Sequence, residues 1–133
     1  MSERVFEASD ESLYDLLGFV EEELENMDCP LKIVMQITVC VEEIFVNIAH
    51  YAYEGKTGSM KFSIAAYDGG VEMVFTDSGI PFDPLAKADP DVTLSAEERN
   101  IGGLGIYMVK QTMDAVAYRY ENGQNIFTIR KNF

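Results

Sequence analysis

The chain is poor in the residues that build covalent frameworks and metal clusters. Two of its 133 residues are cysteine and one is histidine. Cys29 and Cys40 are too few for a disulfide framework or a zinc site, and His50 alone makes no metal-ligand cluster. The two thiols read as reduced and intracellular. Positive charge is scarce as well, with 10 Lys and Arg against 23 Asp and Glu and a net charge of −13. That field repels phosphate backbones and anionic headgroups, so neither nucleic acid nor a membrane is the expected partner. No uninterrupted apolar run is long enough to span a bilayer, and the opening MSERVFEASDESLYD lacks a basic segment followed by an apolar one. The expectation is a soluble, cytoplasmic protein. No repeat, low-complexity tract or Pro/Ser linker divides residues 1–133, which predicts one domain that buries roughly two-thirds of its unfolded surface.

What is present falls into periodic segments. RVFEAS alternates as a short strand. SDESLYDLLGFVEEEL follows as an amphipathic helix, with a capping signal at Ser9 or Asp10 and an apolar face of Leu13, Leu16, Leu17 and Val20. Its acidic run EEELEN is a solvated face that a basic partner could use. Pro30 marks a second helix start, and residues from about Leu31 to Ala52 are apolar nearly all round, which predicts a buried helix. GSMKFSIAAYDGGVEMVFTD reads as two strands about an Asp68-Gly69-Gly70 turn, and AVAYRYE with NIFTIRKN as a hairpin about Asn122-Gly123. Between them, Pro81, Pro84 and Pro90 exclude a regular element throughout a long loop, which ends in a third helix from about Leu104 to Met113. The order β, α, α, β, β, α, β, β predicts an α+β, two-layer sandwich with helices on one face of a mixed, mainly antiparallel sheet.

Three segments carry candidate chemistry. In the second helix Gln36, Glu43, Asn47 and His50 fall along one stripe. The stripe is either the solvent face or a site, in which Asn47 offers a carbonyl oxygen to Mg²⁺ and Glu43 deprotonates or orients a hydroxyl nucleophile. Asp77, followed by Ser78-Gly79, either closes a strand with a common turn or accepts a hydrogen bond from an exocyclic amine such as the N6 of adenine. In NIGGLGIYMVKQTMD three glycines precede a helix, as a plain turn or as a phosphate-facing helix start. A fourth segment is a decoy. Gly55-Lys56-Thr57 resembles the end of a Walker A motif, but the position five before Gly55 is His50, and the preceding element reads as helix.

The segments EEIFVNIAHYAY, DSGIPFDP, GGLGIYMVKQTMDAV and NIFTIRK occur in one order that resembles the GHKL ATPase superfamily, with its Bergerat ATP-binding fold. More narrowly, the chain is similar to the anti-sigma-factor serine/threonine protein kinases, through Pro-Phe-Asp-Pro after Asp77-x-Gly79 and the short connection to the glycines. The resemblance implies ATP and Mg²⁺ as cofactors, Glu43 as catalytic base, Asn47 as the Mg²⁺ ligand and Asp77 as the adenine reader. Gly79 would shape the pocket floor, and Gly102, Gly103, Leu104 and Gly105 would lie at the phosphates. Thr128 would support adenine, residues Phe82 to Ile101 would form an ATP lid, and Arg99 would contact phosphate or a partner. A serine on a small anti-anti-sigma, STAS-like protein is the implied acceptor, a sigma factor or other regulator the sequestered partner, and a homodimer the implied assembly. Kinase and simple ATPase look alike at this level, and the alternative of a different class is a binding module in which ATP only orders the lid and sets partner affinity. In one departure, relatives place His-Ala-Tyr four residues after the Asn, where this chain has Tyr51-Ala52-Tyr53.

Overall fold

A computed structural model describes residues 1–86 and 103–133, without the side chains of residues 103 and 104. Strand β1 (Ser2–Glu7) leads through a 3₁₀ turn (Asp10–Ser12) into α1 (Leu13–Asn26). Helix α2 (Leu31–Asn47) runs into a π-helical turn (Ile48–Ala52), followed by β2 (Ser59–Tyr67), β3 (Gly70–Asp77), α3 (Gly103–Thr112), β4 (Ala115–Glu121) and β5 (Gln124–Asn132). The sheet order is β1-β2-β3-β5-β4. Every pairing in it is antiparallel, so the parallel component of a mixed sheet is absent among the described residues.

Local chemistry explains the boundaries. Asn122 and Gly123 both adopt positive φ, 53° and 77°, the mirror-image turn whose twist matches a two-residue hairpin. Helix α1 closes with Asp28 at φ 56°, where Asp28 N donates to Glu25 O at 3.0 Å and Cys29 N to Leu24 O at 3.1 Å, a Schellman arrangement with Asp in the usual glycine place. The carbonyl of Pro30 accepts from Ile33 N at 2.9 Å and Val34 N at 3.0 Å, which starts α2. The expected side-chain cap on α1 is missing: Asp10 instead meets His50 Nε2 through Oδ1 at 2.8 Å, and α1 begins only at Leu13.

Alternation along the strands aims one face of the sheet at the helices. Met60, Phe62 and Ile64 of β2, Val71, Met73 and Phe75 of β3, and Phe127 and Ile129 of β5 join Leu16, Val20, Leu24, Ile37, Val41 and Phe45 of the helices in one core. Phe62 contacts Phe19 and Phe75 edge-on, with ring centroids 6.1 and 5.1 Å apart. Helix α2 is less enclosed than its composition predicts, because Leu31, Met35 and Val39 stand exposed along one side. No helix among the described residues is long and apolar enough to cross a membrane.

Candidate functional site

The inner face of the sheet ends in a row that is polar from β3 onward. Met60, Asp77, Asn125 and Tyr120 are register partners across β2, β3, β5 and β4. On the central strand β3 and its neighbour β5, this row places Asp77 and Asn125 side by side, 5% and 6% exposed. A cavity of about 80 Å³ opens beside them, walled by Ile44, Ile48, Ala52, Ile106 and Phe127, with Asn47, Asp77, Tyr118 and Asn125 as its polar members. Tyr51, Ile80 and Phe82 also line it, and their exposure sets them at its mouth. A mostly apolar hollow with a few convergent polar groups is the usual form of a small-molecule site.

Asp77 arrives there because it is the last inward residue of β3, two after Phe75. Its Oδ1 accepts from Gly79 N at 2.9 Å and from Asn125 Nδ2 at 3.0 Å. Oδ2 accepts no hydrogen bond among the described residues. Hydrogen bonds of this kind offset the cost of a buried carboxylate. Tyr118 donates to Asn125 Oδ1 at 2.5 Å. Burial pushes the Tyr118 phenol above its ordinary 10.0, against a backbone hydrogen bond involving Phe82 and helped by the charges of Asp83 and Asp77, so it remains a donor at neutral pH.

Gly79 is fixed by close approach. A Cβ there would lie 2.6 Å from the carbonyl carbon and 2.7 Å from the Cβ of Ala52. The loop after β3 is tied to the π turn by Ile80 N to Ala52 O at 2.8 Å and Ser78 N to the Tyr53 hydroxyl at 2.9 Å. A π turn inside a helix often marks a functional site, and this one carries Ala52 and Tyr51 into the cavity wall.

Of the residues expected from the sequence, Asn47 and Asp77 line the cavity together. The Asn47 amide makes no side-chain hydrogen bond among the described residues, which leaves its carbonyl oxygen open as a hard-cation donor. Glu43, one turn earlier, is not part of the cavity wall. Its carboxylate lies against the first turn of α3, where a Cβ on Gly105 would overlap Oε2 and sit 3.0 Å from Cδ. Gly103 and the backbone of Leu104 belong to that same first turn. Gly102, Arg99 and the lid beyond residue 86 lie outside the described residues. Among the described residues no three His, Cys, Asp or Glu side chains group as a metal site.

One expectation is corrected, and one residue is added. Thr128 does not line the cavity: it lies between inward Phe127 and Ile129 on β5, so alternation turns it to the opposite face of the sheet. Asn125, which the sequence reading missed, occupies the place beside Asp77. The Asn122-Gly123 turn does set its inward direction, but only the β3–β5 register brings it to Asp77. His50 leaves the stripe for Asp10, and Tyr51 faces the cavity in its stead. Gln36 also lies outside the cavity wall; its Oε1 is buried without a partner among the described residues.

Comparison with known proteins bears on the family and the fold. The chain is 24% identical over 114 residues to the serine-protein kinase RsbW of Bacillus cereus (strain AH820), a match that covers 83% of this chain and 65% of the relative; the RsbW of Bacillus anthracis matches equally. The chain thus spans about two-thirds of the length of these curated relatives. Its fold is shared with the RsbU and RsbW domains of Rv1364c from Mycobacterium tuberculosis, at a TM-score of 0.64 and 13% identity over 99% of this chain and 32% of that one. It is shared too with the SiaB–SiaC complex from Pseudomonas aeruginosa, at a TM-score of 0.60 and 16% identity over 98% and 89%. The family model for the histidine kinase-like ATPase domain matches residues 6–131, and the chain belongs to that family.

Proposed function

We propose that the chain binds ATP with Mg²⁺ and directs transfer of the γ-phosphoryl group to a serine of a partner protein. The observation that carries this reading is Asp77: a carboxylate buried at the floor of an apolar cavity, with Oδ2 uncommitted among the described residues. An ionised carboxylate only accepts hydrogen bonds, so it suits the exocyclic amine of adenine and disfavours the oxygen guanine presents in its place. Asn47 would hold the Mg²⁺, an ion that takes few protein ligands when phosphates and waters supply the rest. Gly103, Leu104 and Gly105 at the start of α3, with Gly102 before them in the sequence, would face the phosphates, where free N–H groups and the helix dipole favour anions. Glu43 would take the proton of the attacking hydroxyl. Bound ATP supplies the phosphoryl group, and the chain's own share is positioning and charge.

The acceptor is drawn from the relatives. They carry the name serine-protein kinase, and one structural neighbour is a two-component complex, SiaB–SiaC. We assign a small STAS-like anti-anti-sigma protein as substrate and a sigma factor or similar regulator as the sequestered partner, in the cytoplasm, with a homodimer as the assembly. One observation favours a second reading, an ATP-gated binding module without transfer: Glu43 does not line the described cavity.

The test uses γ-labelled Mg·ATP and a STAS-like protein. The kinase reading predicts label on a serine of that protein, lost in Glu43→Gln while ATP affinity is kept. Tight ATP binding with label on no protein supports the binding module, and label released only as inorganic phosphate indicates a simple ATPase.

A further inference from the structure

We propose that Asn125 is the positioning residue that aims Asp77, so that discrimination between bases depends on an amide with no hydrogen-bonding capacity left for a ligand. A side-chain amide has two donor hydrogens and an oxygen with two lone pairs. Here Nδ2 donates to Asp77 Oδ1 at 3.0 Å and to Ile80 O at 2.8 Å. Oδ1 accepts from the Tyr118 hydroxyl at 2.5 Å and from Phe82 N at 3.1 Å. All four places are taken.

The orientation of the amide is fixed by groups that have no choice. The Phe82 N–H can only donate and the Ile80 carbonyl can only accept, so a flipped amide would face donor with donor and acceptor with acceptor. Asp77 Oδ1 is in turn saturated by Asn125 and Gly79 N, the latter at 2.9 Å. One carboxylate oxygen remains for one amine. The same amide fastens Ile80 and Phe82, both of which line the cavity, to the floor of the base pocket. Asn125 therefore acts on a bound base through Asp77, and it is not itself a contact.

This inference rests on the ATP reading above, and the experiment separates the two. Dissociation constants are measured for ATP and for purine riboside triphosphate, which has hydrogen in place of the 6-amino group, with the wild type, Asp77→Asn, Asn125→Ala and Tyr118→Phe. Wild type is expected to prefer ATP by about 10- to 100-fold, the usual worth of a hydrogen bond to a charged group. Asn125→Ala loses most of that preference, and Tyr118→Phe loses part of it. A residue that merely supports packing would weaken both ligands equally and leave the ratio intact. An unchanged ratio in a folded Asn125→Ala overturns the inference while the ATP reading stands. If Asn125→Ala does not fold, Tyr118→Phe decides, and an unchanged ratio there overturns it. Failure of the wild type to bind ATP overturns the underlying reading, and the inference with it.

Discussion

The Glu43 carboxylate occupies the space that a side chain on Gly105 would need, so the first turn of α3 rests directly on the residue proposed as the base. The glycine therefore marks a close contact between two helices. Because the obstructing atoms are the far end of a flexible side chain, the helix itself can accept a methyl group there.

Gly105→Ala is accordingly expected to separate stability from function. Alanine favours the helix by up to about 1 kcal/mol, so the unfolding midpoint should hold or rise. Phosphoryl transfer should fall sharply as the carboxylate swings away. Denaturant unfolding beside a single-turnover assay measures both, and a stable variant with full transfer would contradict the role given to Glu43.

Gly79→Ala behaves differently, since its new Cβ meets the backbone of Ala52, which cannot swing aside. The expected outcome is a loss of about 1–3 kcal/mol, the usual cost of overpacking, together with weakened ATP binding. Urea unfolding with an unchanged midpoint would show that the π turn yields more readily than the packing implies.

His50 and Tyr51 should part company. The His50–Asp10 pair is solvent-exposed, with side chains 45% and 66% accessible, so His50→Ala should cost no more than about 1 kcal/mol and leave ATP affinity alone. Tyr51→Ala removes part of the cavity mouth and should weaken ATP binding. Calorimetric titration of the two variants that gave the reverse order would mean that the π turn rearranges when nucleotide binds.

Burial raises the thiol pKa of Cys40 above its ordinary 9.0, with the Thr112 hydrogen bond and Lys131 opposing and Glu43 adding to the rise. Burial raises Cys29 also. A folded pKa above the unfolded one gives stability that is full below the unfolded pKa and is lost as pH climbs through the folded one. Stability should therefore decline as pH rises past 9, and less so in Cys40→Ala. In native protein an aromatic disulfide reagent should react slowly with Cys29 and leave fully buried Cys40 untouched until unfolding.

Much of the fold was legible because its signals are local. Asn122-Gly123 specifies a two-residue hairpin through positive φ, and the alternation beyond it sets which residues of β5 turn inward. Asp77 and Asn47 were legible as residue types at recognisable spacing. Three features were not, for a shared reason: each depends on what another part of the chain brings. Asp10 would cap α1 if His50 were not within reach. Leu31, Met35 and Val39 look buried in a helix apolar on all sides, yet among the described residues α1, α3 and the sheet cover other sides of α2 and leave this one exposed. Asn125 becomes part of the site only through the β3–β5 register, whereas a resemblance carried along the sequence pointed three residues further, to Thr128 on the opposite face.

The most direct test of the central claim is a thermal-unfolding scan of wild type and Asp77→Asn with Mg·ATP and with Mg·GTP. At about 100 times its dissociation constant a ligand adds ~2.7 kcal/mol, which for a domain of this size raises the midpoint by about ten degrees. A rise with ATP alone, lost in Asp77→Asn, is the predicted result. No shift at millimolar ATP, or an equal shift with GTP, would contradict the assignment of Asp77 as the reader of adenine.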